Sequence, residues 1–177
     1  MRLETNRLIL RYWENEDEKR LYELASDPHV GPPCGWSAHK NQEESQLVLQ
    51  DILMNDYTFA IEDKISGIVI GNIAIMPYCE SRFAQNEKEA EIGFWLGYPY
   101  WGKGYMPEAV NRLVRYGFEE LGLETIWCAH NLDNTNSMRV QQKSGFTFHH
   151  EDVYYSKELD KKVYVKVNCI KREDKRG

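Results

Sequence analysis

The sequence has no run of apolar residues long enough to span a membrane or to form the core of a secretory leader, and its opening Met1-Arg2-Leu3-Glu4-Thr5-Asn6-Arg7 carries charges of both signs. A soluble, cytosolic protein without membrane association is expected. It also lacks an excess of positive charge: the net charge of −6 argues against broad binding to nucleic acid, although a local basic pocket for one phosphorylated ligand is compatible with it. Cys34, Cys79, Cys128 and Cys169 are far apart, form no C-x-x-C pair and have no histidines at zinc-site spacing, so reduced thiols and no metal are expected. Repeats, linkers and low-complexity tracts are missing as well.

What is present is 177 residues, 42% of them hydrophobic, enough for one domain (1–177) with a continuous core over about 3–170 and a frayed tail over 171–177. Leu8 to Trp13 reads as a strand, and Asn15 or Asp17 is placed to cap a helix bearing Leu21, Leu24 and Ala25 on one face. His29 to Lys40, with two prolines and two glycines, reads as loop. A helix from Asn41 to Asn55 follows, its apolar side made by Leu47, Leu49, Ile52, Leu53 and Met54. Tyr57–Glu62 and Ile68–Met76 form a hairpin, and Ala90–Leu96 a further strand in which Gly93 suggests a bulge or a close backbone approach.

From Met106 the period becomes helical, with Met106, Val110, Leu113, Val114, Gly117 and Leu121 on one face and Gly122 as the stop. A strand over Glu124–Ala129, a helix from the Asn131–Asn136 turn through Gln142, and two antiparallel strands, Phe146–Tyr155 and Lys162–Ile170, complete the chain. The order β-α-α-β-β-β-α-β-α-β-β is an α/β (α+β) arrangement: one mixed, mostly antiparallel central sheet with helices on both faces.

Chemistry concentrates where a strand runs into Trp101-Gly102-Lys103-Gly104-Tyr105-Met106 and a helix begins. Glycines let the backbone approach a ligand and leave N–H groups at a helix start, a seat suited to pyrophosphate; a plain tight turn accounts equally well for the spacing taken alone. Neither the Walker nor the Rossmann fingerprint is satisfied, since no Gly-Lys-Ser/Thr follows and Pro107 stands where the third Rossmann glycine belongs.

Taken in order, Glu91-Ile92-Gly93-Phe94-Trp95-Leu96, Tyr100 to Tyr105 with Glu108-Ala109, Asn134-x-x-Ser137 and Lys143-x-Gly145-Phe146 resemble the GNAT superfamily of N-acetyltransferases. The RimJ/RimL-type branch is the nearer likeness, through Leu3-Glu4-Thr5-x-Arg7-Leu8-Ile9-Leu10-Arg11, Asp27-Pro28-x-Val30 and Gly35-Trp36. One position departs: the family's Gln/Arg-x-x-Gly-x-Gly/Ala signature would put Gln or Arg at Pro99.

The resemblance implies an acetyl-CoA-dependent N-acetyltransferase whose splayed strands form the acyl-CoA cleft. Phe94, Trp95 and Leu96 would line pantetheine, Trp101, Gly102, Lys103, Gly104, Tyr105 and Met106 would seat the pyrophosphate, and Asn134 would bond pantetheine. Thioester aminolysis needs a neutral amine (pKa near ~10 as an ammonium) and a protonated leaving thiol (pKa near ~8.5). Ser137 is the candidate donor to sulfur, with helix capping as its structural alternative; Glu91 is the candidate base, followed by Glu89, each with a solvated-face alternative. His39, His130, His149, His150, Tyr105 and Tyr154 carry suitable groups without a spacing that selects one. The Val30–His39 loop and the Tyr154–Lys162 turn are expected to wall the acceptor site, and Trp36 either covers the acceptor or fills core space.

The acceptor expected is a small-molecule or peptide amine, and exposed aromatics such as Tyr154 and Tyr155 would permit a homodimer. With no activated Cys or Ser–His pair, direct attack of the amine is expected rather than a covalent enzyme intermediate. A non-catalytic CoA-binding regulatory module is the alternative, and a phosphate-anchoring domain for another nucleotide a third.

Overall fold

The computed structural model describes residues 1–175. Its eight strands form one sheet in the order β1-β2-β3-β4-β5-β6-β8-β7. They are β1 (Arg2–Glu4), β2 (Leu8–Tyr12), β3 (Thr58–Asp63), β4 (Ile68–Pro77), β5 (Glu89–Leu96), β6 (Thr125–Asn131), β7 (Thr147–Ser156) and β8 (Lys161–Lys171). Every neighbouring pair is antiparallel except β5 and β6, which run parallel.

Alternation along the strands sorts side chains onto two faces. On one, α4 (Tyr105–Glu119) buries Met106, Val110, Leu113 and Val114 against Leu8, Leu10, Phe59, Ile61, Ile73, Ile75, Ala90, Ile92 and Ile126. The second face carries α1 (Glu18–Ala25), whose Leu21, Leu24 and Ala25 pack with Trp13, Ala60 and Val69. Completing the helices are α2 (Gly31–Cys34), α3 (Gln42–Val48) and α5 (Thr135–Lys143).

Several local expectations are corrected. Asp17 does not cap α1 through its side chain: its carboxylate accepts from Arg11 Nη1 (2.7 Å) and Nη2 (2.9 Å) and from the Glu14 N–H (3.0 Å). The Pro/Gly segment contains the one-turn α2, because prolines are tolerated in a first turn and Gly35, at φ +92°, closes it in the left-handed conformation.

The helix from Asn41 is α3 followed by a π-turn over Leu49–Leu53, with Asn41 Oδ1 accepting from the Glu44 N–H at 2.8 Å. The wider turn shifts the phase, so Leu49 and Leu53 go inward while Leu47, Ile52 and Met54 stay exposed. Leu121 is also exposed, because α4 ends at Glu119; Gly122 follows at φ +71°.

Gly93 pairs regularly with Ala74; the irregularity lies across the hairpin, where Ile61 pairs with Gly71 but Glu62 with Val69. The close approach is at Gly71, where a Cβ would stand 2.5 Å from the Trp95 carbonyl oxygen. Of the expected tail, Lys171 belongs to β8 and 172–175 form a 3₁₀ turn held by Arg172 N–H to Glu124 O (2.9 Å); residues 176–177 lie outside the described residues. No helix among the described residues is long and apolar enough to cross a membrane.

Candidate active site

The site begins where the sheet opens. β5 and β6 pair only at Glu89 with Thr125, Ala90 with Ile126 and Glu91 with Trp127, although both strands continue, β5 to Leu96 and β6 to Asn131. On its other side β5 remains paired with β4 through Leu96, and β6 with β8 through Asn131. Beyond Glu91, then, β5 has no ladder partner on the side facing β6. Two clefts occupy the gap. One, of about 230 Å³, is lined by Phe94, Trp95, Leu96, Trp101, Gly102, Gly104, Tyr105, Met106, Asn134 and Ser137 among others. A second, of about 280 Å³, holds Arg82, Glu91, Gly93, His130 and Tyr154. Pro33, Cys34, Phe94, Asn134 and Ser137 border both. Either cleft alone falls below the ~300 Å³ at which ligand pockets begin, and joined they exceed it.

The first cleft ends at the start of α4. Gly102 (φ +75°) and Gly104 (φ +78°) bend the backbone there, and a Cβ on Gly102 would meet nothing within 4 Å. Among the described residues, no protein acceptor takes the N–H of Gly102, Lys103, Gly104, Tyr105 or Met106; the first bond of the turn is Glu108 N–H to Gly104 O (3.4 Å). Five free donors at the positive end of a 15-residue helix fit a diphosphate. Lys103 does not line the cleft, and its side chain is directed over the Tyr100 ring, 5.7 Å from the centroid. Pro99 sits in the preceding 3₁₀ turn, and Trp101 Nε1 donates to Leu96 O at 2.7 Å, fixing the turn to the end of β5.

A contact not legible from local spacing anchors the seat from below. Glu108, in the first turn of α4, accepts from Thr5 Oγ1 (2.6 Å), the Arg7 N–H (2.9 Å) and Arg7 Nε (2.7 Å), while Arg7 Nη1 donates to Lys103 O (3.0 Å). Burial works to raise the Glu108 pKa, and the bonds from Thr5 and Arg7 outweigh it, holding the group below its ordinary value.

Where the clefts join, Asn134 caps α5 by accepting from the Ser137 N–H (3.0 Å), and its Nδ2 donates to Pro33 O (3.1 Å), which Asn131 Nδ2 also reaches (2.9 Å). Capping therefore belongs to Asn134, and the Ser137 hydroxyl is left to other partners. Cys34 is exposed at this junction, yet the atoms crowding its thiol push the pKa up to about 12, so it is no thiolate nucleophile at neutral pH.

Alternation places Glu91 on the sheet face opposite α4. Burial raises its pKa, opposed by bonds from the Arg82 N–H (2.9 Å) and Ser81 Oγ (2.9 Å). Glu89 instead accepts from Trp127 Nε1 (2.7 Å), Asn86 Nδ2 (3.0 Å) and the Gln85 N–H (3.1 Å), and lines neither cleft.

Of the four histidines considered, His130 alone lines a cleft; His39 is buried on Ser45 Oγ (2.7 Å), its pKa lowered by desolvation, and His149 and His150 pack edge-on against Trp127. Trp36 is half-buried, packs on Trp95 and His39 and lines neither cleft. The two expected walls do touch, through Ser37 N–H to Glu158 Oε1 (2.7 Å). Tyr154 is half-buried under the Arg82 guanidinium, 4.4 Å from the ring centroid, so Tyr155 alone of that pair is an exposed aromatic. Arg82 and Phe83, from the segment between β4 and β5, also wall the second cleft, with no local sequence signal that singles them out.

Residues 7–147 match the family described as acetyltransferase (GNAT) domain. The chain belongs to the GNAT acetyltransferase family. An uncharacterized N-acetyltransferase of Bacillus licheniformis, p20, is 32% identical over 146 residues, 81% of each chain. The GNAT-family acetyltransferase of Bacillus anthracis superposes with a TM-score of 0.84 at 24% identity, covering 98% of this chain and 99% of that one. A ribosomal-protein-S5-alanine acetyltransferase of Vibrio fischeri shares the fold over the full length of both chains, with a TM-score of 0.75 at 18% identity. This GNAT chain is thus an acetyltransferase, and the non-catalytic alternative is set aside.

Proposed function

We propose that this GNAT chain transfers an acetyl group from acetyl-CoA to a primary amine, on a peptide N-terminus or a small molecule, by direct attack on the thioester. The observation that carries the reading is the opening between β5 and β6, where a cleft ending on five free N–H groups meets a second cleft holding a half-buried carboxylate. In this reading the diphosphate rests on the N–H groups of Gly102 to Met106, and pantetheine follows Phe94, Trp95 and Leu96 with Asn134 at its side. Unpaired backbone donors of β5 face the thioester carbonyl, where charge grows as the amine attacks. The acceptor enters from the opposite face, past Arg82 and Tyr154. Glu91, whose raised pKa makes it a stronger base than an exposed carboxylate, takes the ammonium proton, directly or through water. Ser137, at the junction, donates to the departing sulfur.

The test is thiol release from acetyl-CoA over N-terminal peptides, polyamines and aminoglycosides. Turnover with a primary amine, reduced in Ser137→Ala and Glu91→Gln while CoA affinity is kept, supports the reading. Full turnover in both variants would remove these residues from the chemistry.

A further inference from the structure

Ser137 lies one helical turn before Gln141 on α5, so the two side chains are neighbours on one face. Gln141 is only 1% exposed. Its Nε2 donates to Ala129 O (3.2 Å) and to Ser137 Oγ (3.2 Å), and its Oε1 accepts from Asn168 Nδ2 (2.5 Å), a residue of β8 that is itself buried. A carbonyl oxygen can only accept, so the Gln141 atom facing Ala129 must be the amide nitrogen, and its two hydrogens are then both in use. Ser137 Oγ is therefore an acceptor on its buried side. Its own hydrogen meets no protein acceptor among the described residues, while the residue borders both clefts. A free serine hydroxyl samples three staggered rotamers, and accepting a bond also polarises its O–H, making it a better donor.

We infer that Gln141, held by Asn168, is a positioning residue that fixes the Ser137 hydroxyl as a donor toward the cleft. The inference rests on the reading of Ser137 as the group at the leaving sulfur. In that step the amine nitrogen bonds to the acyl carbon and gives its extra proton to Glu91. The C–S bond breaks with its electron pair on sulfur, sulfur takes the Ser137 hydroxyl proton, and Ser137 recovers a proton from a water whose hydroxide then takes the proton held on Glu91, so that amine and acetyl-CoA give amide and free thiol. Gln141 touches none of the reacting atoms and acts only through Ser137.

The experiment is a double-mutant cycle with Ser137→Ala and Gln141→Met, the latter keeping the volume and losing both N–H donors. Thiol release from acetyl-CoA is followed with peptides bearing N-terminal Ala or Ser, with spermidine, and with water alone as acceptor. Gln141→Met should lower kcat about tenfold with KM for acetyl-CoA within about twofold. Ser137→Ala should lower kcat about a hundredfold, and the double variant should match Ser137→Ala alone.

Asn168→Ala, which leaves Gln141 in place but frees its carbonyl, should give a smaller kcat loss that likewise vanishes in the Ser137→Ala background. It carries the same test should Gln141→Met fail to fold. An active parent in which the Gln141 and Ser137 effects multiply, or in which Gln141→Met alters only thermal stability, overturns the inference alone. A parent that releases no thiol under any of these conditions overturns the reading of Ser137 and the inference with it.

Discussion

Arg7 and Glu108, 101 residues apart in sequence, meet through a 2.7 Å bond from Nε to Oε2 that ties the turn between β1 and β2 to the first turn of α4. Arg7 is 42% exposed, so the ion pair itself is worth less than about 1 kcal/mol after solvent screening. The carboxylate also holds Thr5 Oγ1 and the Arg7 N–H, and removing it strands those donors. Glu108→Ala should therefore cost about 1–3 kcal/mol in chemical denaturation and weaken CoA binding, because Arg7 also holds the Lys103 carbonyl in the turn. The folded-state pKa of Glu108 is depressed, so its contribution is complete above the ordinary value near ~4.3 and is lost as pH falls through the folded value. The stability gap between parent and Glu108→Ala should accordingly close on acidification.

Glu91 works in the opposite sense. Burial raises its pKa, so the folded state holds the proton more tightly than the unfolded chain; its contribution to stability is fullest below the ordinary value and is lost as pH rises through the folded value. Glu91→Gln should then be at least as stable as the parent at pH 7 while losing about a hundredfold in kcat/KM. In the parent, the acid limb of the kcat/KM profile should lie above ~4.3 and should be missing from the variant. An unchanged acid limb in Glu91→Gln would assign the base elsewhere, with His130, which lines the same cleft, the next group to examine.

Gly71 faces backbone atoms that cannot yield: a Cβ there would stand 2.5 Å from Trp95 O and 3.0 Å from Leu96 Cα. Gly71→Ala should displace the end of β5, costing about 1–3 kcal/mol and raising KM for acetyl-CoA. Gly67→Ala, in the exposed hairpin turn at φ +67° with nothing within 4 Å, carries backbone strain without that displacement and should leave KM unchanged.

Much of this fold could be read directly, because its strands and α4 have strong periods and clear punctuation. Gly104 before α4, Gly122 after it and Gly145 after α5 all take positive φ. The glycine turn at the start of α4 and the parting of β5 from β6 were legible through ordered motifs rather than any single spacing. Residues whose role depends on partners far along the chain were not: Asp17 is taken by Arg11, Gly71 rather than Gly93 makes the close approach, and Glu108 answers to Thr5 and Arg7. The π-turn at Leu49–Leu53 leaves no compositional trace, so Leu47 and Ile52 read as inward when they are not. Gln141 was missed for the same reason: a glutamine on a helix reads as surface until β6 and β8 close over it.

The most direct test of a diphosphate seat at the start of α4 is calorimetric titration of the parent, Gly104→Val and Gly122→Val with CoA. Both glycines have positive φ, +78° and +71°, so both substitutions strain the backbone by about 1–3 kcal/mol and should lower thermal stability alike. The parent should bind one CoA per chain, Gly122→Val should bind it equally well, and Gly104→Val should bind at least about tenfold more weakly, since strain at its positive φ and a Cβ 3.5 Å from Arg7 Nη2 would displace the turn that carries the free N–H groups. Equal affinity in Gly104→Val and the parent, or no CoA binding by the parent, would contradict the account.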